Sequence, residues 1–240
     1  MRLLAGLPVS RSDITGMGVG GLLMEIVTRP QPRDEPVPDG RKIAAVILAA
    51  GRSTRMGGPN KLLAEIGGRP LVRIAAEEAL ASRAKPVIVV TGHQREQVEA
   101  AVAGLDVKLV HNPDFANGLS TSVKAGLSAV PQDVDGAIVC LGDMPQVRAP
   151  LIDQLALAFD PEKGALIVVP SVDGKRGNPV VWSRRFFHEL MGLEGDVGAR
   201  HVIGRYPEAV AEVPVADKAV FVDVDTPELL QKVKAEIERR

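Results

Sequence analysis

The sequence predicts an α/β domain built around a mostly parallel, twisted β-sheet. Short apolar runs, typical of buried strands, alternate with helical segments of about ten to fifteen residues, which is the pattern of βαβ units. The first apolar run, from Ile43 to Leu48, is rich in β-branched residues and leads into a glycine-containing loop. In open sheets of this kind ligands bind beyond the carboxyl ends of the strands, so we expect the functional residues in the loops there.

The other predicted elements follow in order along the chain. The predicted strands are residues 43–48, 85–90, 107–110, 136–141, 165–169, 178–182 and 220–224. The predicted helices are residues 70–80, 94–102, 118–130, 150–159, 184–191, 196–203 and 227–240. Three of the helices begin at prolines, Pro70, Pro150 and Pro227, a position where the missing N–H breaks no helical hydrogen bond.

Residues 1–40 differ from the rest of the chain. Within them, residues 28–40 contain four prolines and five charged side chains, a composition typical of an extended, semi-rigid linker. We therefore divide the chain into an N-terminal extension with a Pro-rich linker, residues 1–40, and a main domain, residues 41–240. A disordered tail is the simplest interpretation of the extension.

The composition excludes several classes of partner. A net charge of −1 and an aromatic content of 3% favour neither a nucleic-acid partner nor an acidic membrane surface. No apolar run reaches the roughly 18 residues of a membrane span, and the N-terminus lacks the pattern of a signal peptide. The single Cys140 cannot form an intramolecular disulfide, which fits a reducing compartment. We expect a cytoplasmic protein.

The loop after the first strand has the composition of a polyphosphate site. It begins at Ala49-Ala50-Gly51 and continues through Arg52, Ser53, Thr54, Arg55, Gly57, Gly58 and Asn60 to Lys61. Small residues allow close approach of the backbone to a ligand, and arginine and lysine are the side chains that bind phosphate oxygens. The spacing fits neither the P-loop of ATPases nor the glycine motif of dinucleotide-binding folds. A basic surface loop is the plainer alternative.

Three carboxylates follow predicted strands. Asp143 lies in LGDMP directly after strand 136–141, and Asp223 and Asp225 lie in VDVDTPE at the end of the last strand. Mg²⁺ prefers one or two carboxylates together with substrate phosphates. Alternate residues of a strand share a face, so Asp223 and Asp225 would point the same way if the strand continues. Asp143 could equally form a turn, and Asp225 or Thr226 could cap the last helix.

These motifs resemble those of a known family. LAAGRSTRMG followed by NKLL, LGDMP and the DVDTP element are similar to motifs of nucleotidyltransferases with a glycosyltransferase-A-like fold, above all the molybdenum cofactor cytidylyltransferases. The resemblance implies a three-layer α/β/α, Rossmann-like nucleotidyltransferase fold for residues 41–240. Some members look like the C-terminal halves of larger proteins, so residues 1–40 could equally be the remnant of a preceding domain.

The resemblance also implies the roles of individual residues. It makes Arg55, Lys61 and Asp143 catalytic, and Asp143 and Asp225 the ligands of Mg²⁺ with Asp223 in reserve. The nucleotide-binding residues that it implies are Leu48, Ala49, Ala50, Gly51, Arg55, Lys61, Thr91, Gly118, Ser120 and Ser122. The last three belong to NGLSTSVKAGL, which resembles the base-recognition segment, although Ser120 or Thr121 could simply cap the helix there.

Two further segments are similar to elements that face the acceptor substrate. These are GKRGNPV at residues 174–180 and GDVGAR at residues 195–200. The acceptor-binding residues that they imply are Arg176, Gly177, Asn178, Pro179, Asp196 and Arg200. Both arginines could grip a phosphate in a bidentate manner. Without the resemblance, surface arginines beside simple glycine turns are the plainer interpretation.

The resemblance implies a Mg²⁺-dependent transfer of CMP from CTP to the terminal phosphate of molybdopterin, with release of pyrophosphate. A molybdoenzyme would receive the product. Cytidine is favoured because Ala50 stands where guanine-using relatives tend to carry glycine. GTP is therefore the nearest alternative, followed by sugar or polyol phosphates as acceptors. A non-catalytic nucleotide- or cofactor-binding chaperone is the alternative from another class, and the set of Lys61, Asp143 and Asp225 argues against it.

Overall fold

The computed structural model describes residues 40–53, 60–195, 199–216, 218–237 and 239. Outside the described residues lie residues 1–39 of the N-terminal extension and two candidate site residues, Arg55 and Asp196. The strands are β1 (Ile43–Ala49), β2 (Glu65–Ile66), β3 (Arg69–Pro70), β4 (Val87–Thr91), β5 (Lys108–His111), β6 (Gly136–Leu141), β7 (Ile167–Val172), β8 (Lys175–Arg176), β9 (Val180–Ser183) and β10 (Val210–Pro214). The helices are α1 (Leu71–Ala81), α2 (Arg95–Ala101), α3 (Leu119–Ser128), α4 (Ala149–Ala158), α5 (Phe187–Met191), α6 (Arg200–Arg205) and α7 (Pro227–Ile237).

The central sheet is mostly parallel, as predicted. Its strands are ordered β10-β7-β9-β6-β1-β4-β5, and β8 pairs with β7 outside this path. β1 lies in the middle and pairs in parallel with both β4 and β6. The antiparallel pairs are those of β9 with β6 and β7 and that of β8 with β7. The loops after β6, β1, β4 and β5 therefore emerge side by side at one edge of the sheet.

Helices cover both faces of this sheet, which confirms the α/β class. Alternate residues of β1 point to opposite faces. Ile43 and Ile47 join one core cluster with residues of α1, α2 and α4, whereas Val46 and Leu48 join a second cluster with residues of α3, α5 and α6. Because both faces of β1 are buried, its sequence is a continuous apolar run rather than an alternating one.

A third, smaller cluster fixes the C-terminal segment. Val233 of α7 and Val224 pack against Ile66, Leu71 and Ile74. The hydroxyl of Thr226 accepts a hydrogen bond from the Leu229 N–H at 3.3 Å, so Thr226 caps α7. This confirms Thr226 as one of the two predicted caps.

The predicted strand at residues 220–224 is wrong. Lys218–Phe221 form a 3-10 helix, and residues 222–225 continue without strand pairing among the described residues. The apolar residues there are buried by packing instead: Val220 lies against Gly177, and Val224 joins the third cluster. The last strand is β10, which pairs in parallel with β7 at the edge of the sheet. Its sequence, VAEVP, contains a charge and ends in proline, as suits an edge strand.

Other boundaries shift by a few residues. The predicted helix at 184–191 begins as a 3-10 turn, Arg184–Phe186, before α5. The helices of the described chain include none that combines the length and the apolar character needed to cross a membrane.

Gly126 lets α3 approach the sheet closely. A Cβ at this position would lie 2.4 Å from Val46 Cγ1 and 3.0 Å from Val90 Cγ2, two side chains of adjacent strands. We expect Gly126→Ala to lower the free energy of unfolding by about 1–3 kcal/mol, the usual cost of overpacking a core. Gly204→Ala in α6 is the matched control, because its Cβ would meet nothing within 4 Å. Denaturant unfolding measures both variants, and equal stabilities would contradict this packing.

Cys140 lies in β6 and is buried. Burial raises the pKa of its thiol to about 12, so the reactive thiolate is scarce at neutral pH. We expect mass spectrometry to detect no alkylation of the native protein at neutral pH and complete alkylation after denaturation. Rapid alkylation of the native protein would show that β6 is more accessible than the structure has it.

Candidate active site

A cavity of about 500 Å³ lies at the carboxyl ends of β1 and β6. Four parts of the chain line it: the loop after β1, the region before and at the start of α3, the end of β6, and residues 223–225. The predicted residues that line this cavity are Leu48, Ala50, Gly51, Lys61, Gly118, Ser122, Asp143 and Asp225. The sequence thus predicted most of the polar lining of one continuous cavity from segments that are far apart in the chain.

Three predicted nucleotide-binding residues do not line it. Ala49 and Thr91 are fully buried, and the Thr91 hydroxyl lies 3.0 Å from Glu99 Oε1. Ser120 is buried as well, and its Oγ has no hydrogen-bond partner among the described residues. Direct side-chain contact of these three residues with a nucleotide therefore stays a prediction.

Three carboxylates meet at one end of the cavity. Asp143, Asp223 and Asp225 each offer an oxygen that lies within 4.8 Å of the other two. The backbone N–H of Val224 donates to the carbonyl of Asp143 at 2.9 Å and so fixes the C-terminal segment against the end of β6. Several carboxylate oxygens at this spacing are the donor set that a hard divalent cation prefers. The residues present therefore fit a Mg²⁺ or Mn²⁺ ion.

Lys61 supplies a positive charge to the same cluster. Its Nζ contacts Asp143 Oδ2 and lies 2.5 Å from Asp225 Oδ1. Burial by itself would lower the pKa of Lys61, but the attraction of Asp143 and Asp225 outweighs it and raises the pKa. Burial also raises the pKa of Asp143, an effect that Lys61 opposes and Asp223 reinforces. Lys61 is therefore held protonated among carboxylates that need a counter-charge.

Two polar residues close the base of the loop that precedes Lys61. The Ser53 hydroxyl donates to Asn60 Oδ1 at 3.1 Å, and the Lys61 N–H donates to Ser53 Oγ at 3.1 Å. Asn60 Oδ1 also accepts the N–H of Leu62 at 3.1 Å. These bonds hold the two ends of the loop together and fix the direction in which Lys61 leaves the backbone. From the sequence alone, Ser53 and Asn60 are only members of this loop, and these hydrogen bonds are not predicted.

A polar network supports the wall at the start of α3. The Asn112 amide donates to Thr121 Oγ1 at 2.9 Å and to Ser122 Oγ at 3.0 Å. Gly118 is the N-cap residue of α3, and no side chain caps that helix. Capping by Ser120 or Thr121, the alternative raised by the sequence, is therefore wrong. Ser122 thus accepts a hydrogen bond from Asn112 and also lines the cavity.

A second cavity, of about 680 Å³, adjoins the first. The two share Leu48, Leu119 and Leu141 in their linings. The predicted acceptor residues that line the second cavity are Arg176, Gly177, Asn178 and Arg200. Pro179 is not among its lining residues. Two adjoining cavities are what a transfer between two substrates requires.

The segment with the carboxylates also builds this second cavity. The Asn178 N–H donates to the Val220 carbonyl at 3.0 Å, and a Cβ at Gly177 would lie 2.6 Å from the same oxygen. Arg176 donates from Nε to Glu212 at 2.8 Å, and both side chains are exposed. Arg176 is thus engaged at the surface, as the plainer interpretation expected, while it also lines the cavity.

Sequence reasoning missed the apolar part of the first cavity. Phe115 and Ala116 line it but belong to no quoted motif, whereas Leu119 and Leu141 lie within NGLSTSVKAGL and LGDMP and were not predicted as lining residues. Leu141 could have been found from its place at the end of β6, two residues before Asp143.

The comparison with known families agrees with this geometry. Residues 45–210, which span β1 to the start of β10, match the MobA-like NTP transferase domain. The chain belongs to this family. It is therefore a nucleotidyltransferase by family. The matched region contains Lys61 and Asp143 of the first cavity, whereas Asp223 and Asp225 lie beyond it.

Several MobA-like and related proteins are similar to this chain. Purine catabolism protein PucB of Bacillus subtilis is 31% identical over 206 residues, which cover 80% of this chain and 96% of that protein. Nicotine blue oxidoreductase of Paenarthrobacter nicotinovorans is 28% identical over 196 residues, with the same shares of 80% and 96%. The bifunctional protein GlmU of Corynebacterium aurimucosum is 39% identical over 132 residues, which are 52% of this chain and 27% of GlmU. The match thus spans about a quarter of the length of GlmU.

Solved structures share the fold. The homologue of Mycobacterium tuberculosis Rv0371c from Mycobacterium sp. strain JC1 superposes with a TM-score of 0.71 at 29% identity and covers 82% of this chain and 97% of that one. Rv0371c itself, in a complex with manganese, superposes with a TM-score of 0.66 at 28% identity over 81% of this chain and 98% of that one. The Rossmann-like nucleotidyltransferase fold is therefore confirmed.

Lys61→Met removes the ammonium but keeps an unbranched side chain. We expect a lower midpoint of thermal unfolding without divalent cations, because breaking a buried ion pair costs up to about 3–5 kcal/mol. We also expect Mg²⁺ or Mn²⁺ to raise this midpoint more than that of the wild type, since the cation replaces the missing counter-charge.

Lys232→Met, at an exposed position of α7, is the matched control for this experiment. Equal stabilisation of both variants by the cation would contradict the view that Lys61 balances the carboxylate cluster.

Proposed function

We propose that this MobA-like protein transfers CMP from CTP to the terminal phosphate of a molybdopterin-type acceptor. The observation that carries the proposal is the cluster of Lys61, Asp143, Asp223 and Asp225 in the first cavity. Asp143 is two residues from Leu141, which lines both cavities. The groups that would handle phosphate charge therefore lie close to the boundary between two substrate-sized cavities.

The acceptor phosphate would attack the α-phosphorus of CTP. Its oxygen is already an anion, so the reaction needs neither a protein nucleophile nor a strong base. A bond forms between this oxygen and the α-phosphorus, the bond from the α-phosphorus to the bridging oxygen breaks, and pyrophosphate leaves with both bonding electrons. Catalysis then consists of positioning and charge neutralisation, as at other phosphoryl-transfer sites.

Within the cluster, the carboxylates would bind the metal ion and Lys61 would stabilise the leaving group. Asp143 and Asp225, with Asp223 beside them, would hold Mg²⁺. The bound ion would neutralise charge on the α-phosphate. Lys61, which the carboxylates keep protonated, would lie beside the departing pyrophosphate and stabilise its charge. Arg55 and the glycines of the same loop would bind the β- and γ-phosphates.

The lining of the second cavity combines apolar side chains with cations, which suits an acceptor that has a ring system and an anionic end. Trp182, Val139 and Ile203 contribute to its apolar lining, whereas Lys175 and Arg200 are exposed cations at the same cavity. Arg176 would have to share its guanidinium between Glu212 and the acceptor. Asp196 would complete the acceptor site, and the product would then pass to a molybdoenzyme.

Family membership alone does not determine the reaction, because nicotine blue oxidoreductase aligns along almost its whole length. The choice of cytidine has separate support in Ala50, which lines the first cavity at its β1 end and narrows it by one methyl group. GTP is the alternative base, and sugar or polyol phosphates are the alternative acceptors.

Asp143→Asn tests the role of the cluster. We expect turnover to fall at least about 10²-fold, the scale for loss of one preorganised charge stabiliser, while CTP binding persists. The exposed Asp106→Asn is the matched control and should retain wild-type turnover.

The measurement is steady-state turnover with molybdopterin and Mg²⁺, with CTP, GTP, ATP and UTP compared at equal concentration. Preference for GTP would contradict the cytidine assignment, and absence of turnover with all four nucleotides would contradict the proposed reaction.

A further inference from the structure

The strand order gives the first cavity two distinct ends. Asp143 follows β6, and two strands away along the same sheet edge Gly92 follows β4, with β1 between them. Neighbouring strands are about 4.8 Å apart, so these two ends of the edge are separated by roughly 10 Å. Phe115 belongs to the β4 end, because a Cβ at Gly92 would lie 2.7 Å from Phe115 Cβ. The cavity is thus long enough to hold a nucleotide lengthwise.

The two ends differ in charge. The Asp143 end contains Lys61 and three carboxylates, whereas the lining residues from 115 to 122 carry no charged side chain. A triphosphate and its cation belong at the charged end. The uncharged end, with an aromatic ring and the hydroxyl of Ser122, has the chemistry of a nucleobase pocket.

The position of the Phe115 ring is fixed by a tight contact of three segments. A Cβ at Gly92 would lie 2.7 Å from the Cβ atoms of both Ala50 and Phe115, so only glycine lets these two residues approach. The ring of His93 also lies beside that of Phe115: the two ring centroids are 5.9 Å apart and the interplanar angle is 50°. Phe115 is partly buried and packs against the second core cluster. Its ring is therefore a fixed wall rather than a loose surface side chain.

We propose that Phe115 is a specificity-determining residue whose ring packs against the nucleobase. The contact of Ala50, Gly92 and Phe115 sets the depth of the pocket and favours a pyrimidine over a purine. This inference rests on the proposed function, since it names the wall that selects the base in that reaction.

Equilibrium binding of nucleotides tests the inference without turnover. CTP, GTP, UTP and ATP are titrated into the full chain with Mg²⁺ and no acceptor, for wild type, Phe115→Ala and Phe115→Leu. We expect Phe115→Ala to weaken CTP binding at least about tenfold, because an aromatic ring stacked on a base contributes on that scale. We expect the ratio of CTP to GTP affinity to fall as well, since the shortened side chain deepens the pocket.

Phe115→Leu separates ring stacking from space filling. It keeps apolar volume but has no aromatic face, so it should recover part of the selectivity against GTP and little of the CTP affinity. Leu157→Ala, at an exposed position of α4, is the control and should bind all four nucleotides as the wild type does. Binding of Mn²⁺ alone, followed by electron paramagnetic resonance, should be the same in all variants, because the carboxylates lie at the other end.

The outcomes are distinguishable. Unchanged CTP affinity in Phe115→Ala, or an equal loss for all four nucleotides, would overturn the inference while leaving the proposed reaction intact. A wild-type protein that binds none of the four nucleotides would overturn the proposed function, and this inference with it.

Discussion

The contact of the Lys61 ammonium with Asp143 and Asp225 is the interaction on which the site depends. It joins the loop after β1, the end of β6 and the segment before α7, three regions that are distant in sequence. Three carboxylates within 4.8 Å of one another would repel strongly without a cation among them. The same charge that holds these segments together is the one that a polyphosphate requires. The stability of this region and the proposed function therefore depend on the same balance of charge.

The C-terminal segment couples the two cavities. Its Asp223 and Asp225 line the first cavity, whereas its Val220 carbonyl accepts a hydrogen bond from the N–H of Asn178, which lines the second. The segment itself is held by the bond from the Val224 N–H to the Asp143 carbonyl and by the cluster around Val233. A displacement of this short stretch would alter both cavities together, which suits the proposed alignment of two phosphates.

The sequence predicted elements whose signals are local. The run Gly136 to Leu141 forms β6 with the predicted bounds, and α7 begins at Pro227, because continuous burial and a helix-opening proline leave clear patterns. The strand predicted from the apolar run at 220–224 is wrong, because the valines of this run are buried by packing against Gly177 and α7 and not within a sheet. Asp223 and Asp225 do converge on Asp143, but through a bond of Val224 and not through a shared strand face. Phe115 left no signal, because the role proposed for it rests on a close approach to Gly92 that only the folded chain creates.

The most direct test of nucleotidyl transfer is the exchange of labelled pyrophosphate into CTP. In the proposed direct transfer, label enters CTP only after CTP and the acceptor have formed the dinucleotide and labelled pyrophosphate then cleaves it in the reverse reaction. We therefore predict exchange in the presence of both molybdopterin and Mg²⁺, and none when either is omitted. Absence of exchange from a folded preparation that binds both CTP and molybdopterin would contradict the account and indicate a protein that binds these ligands without joining them.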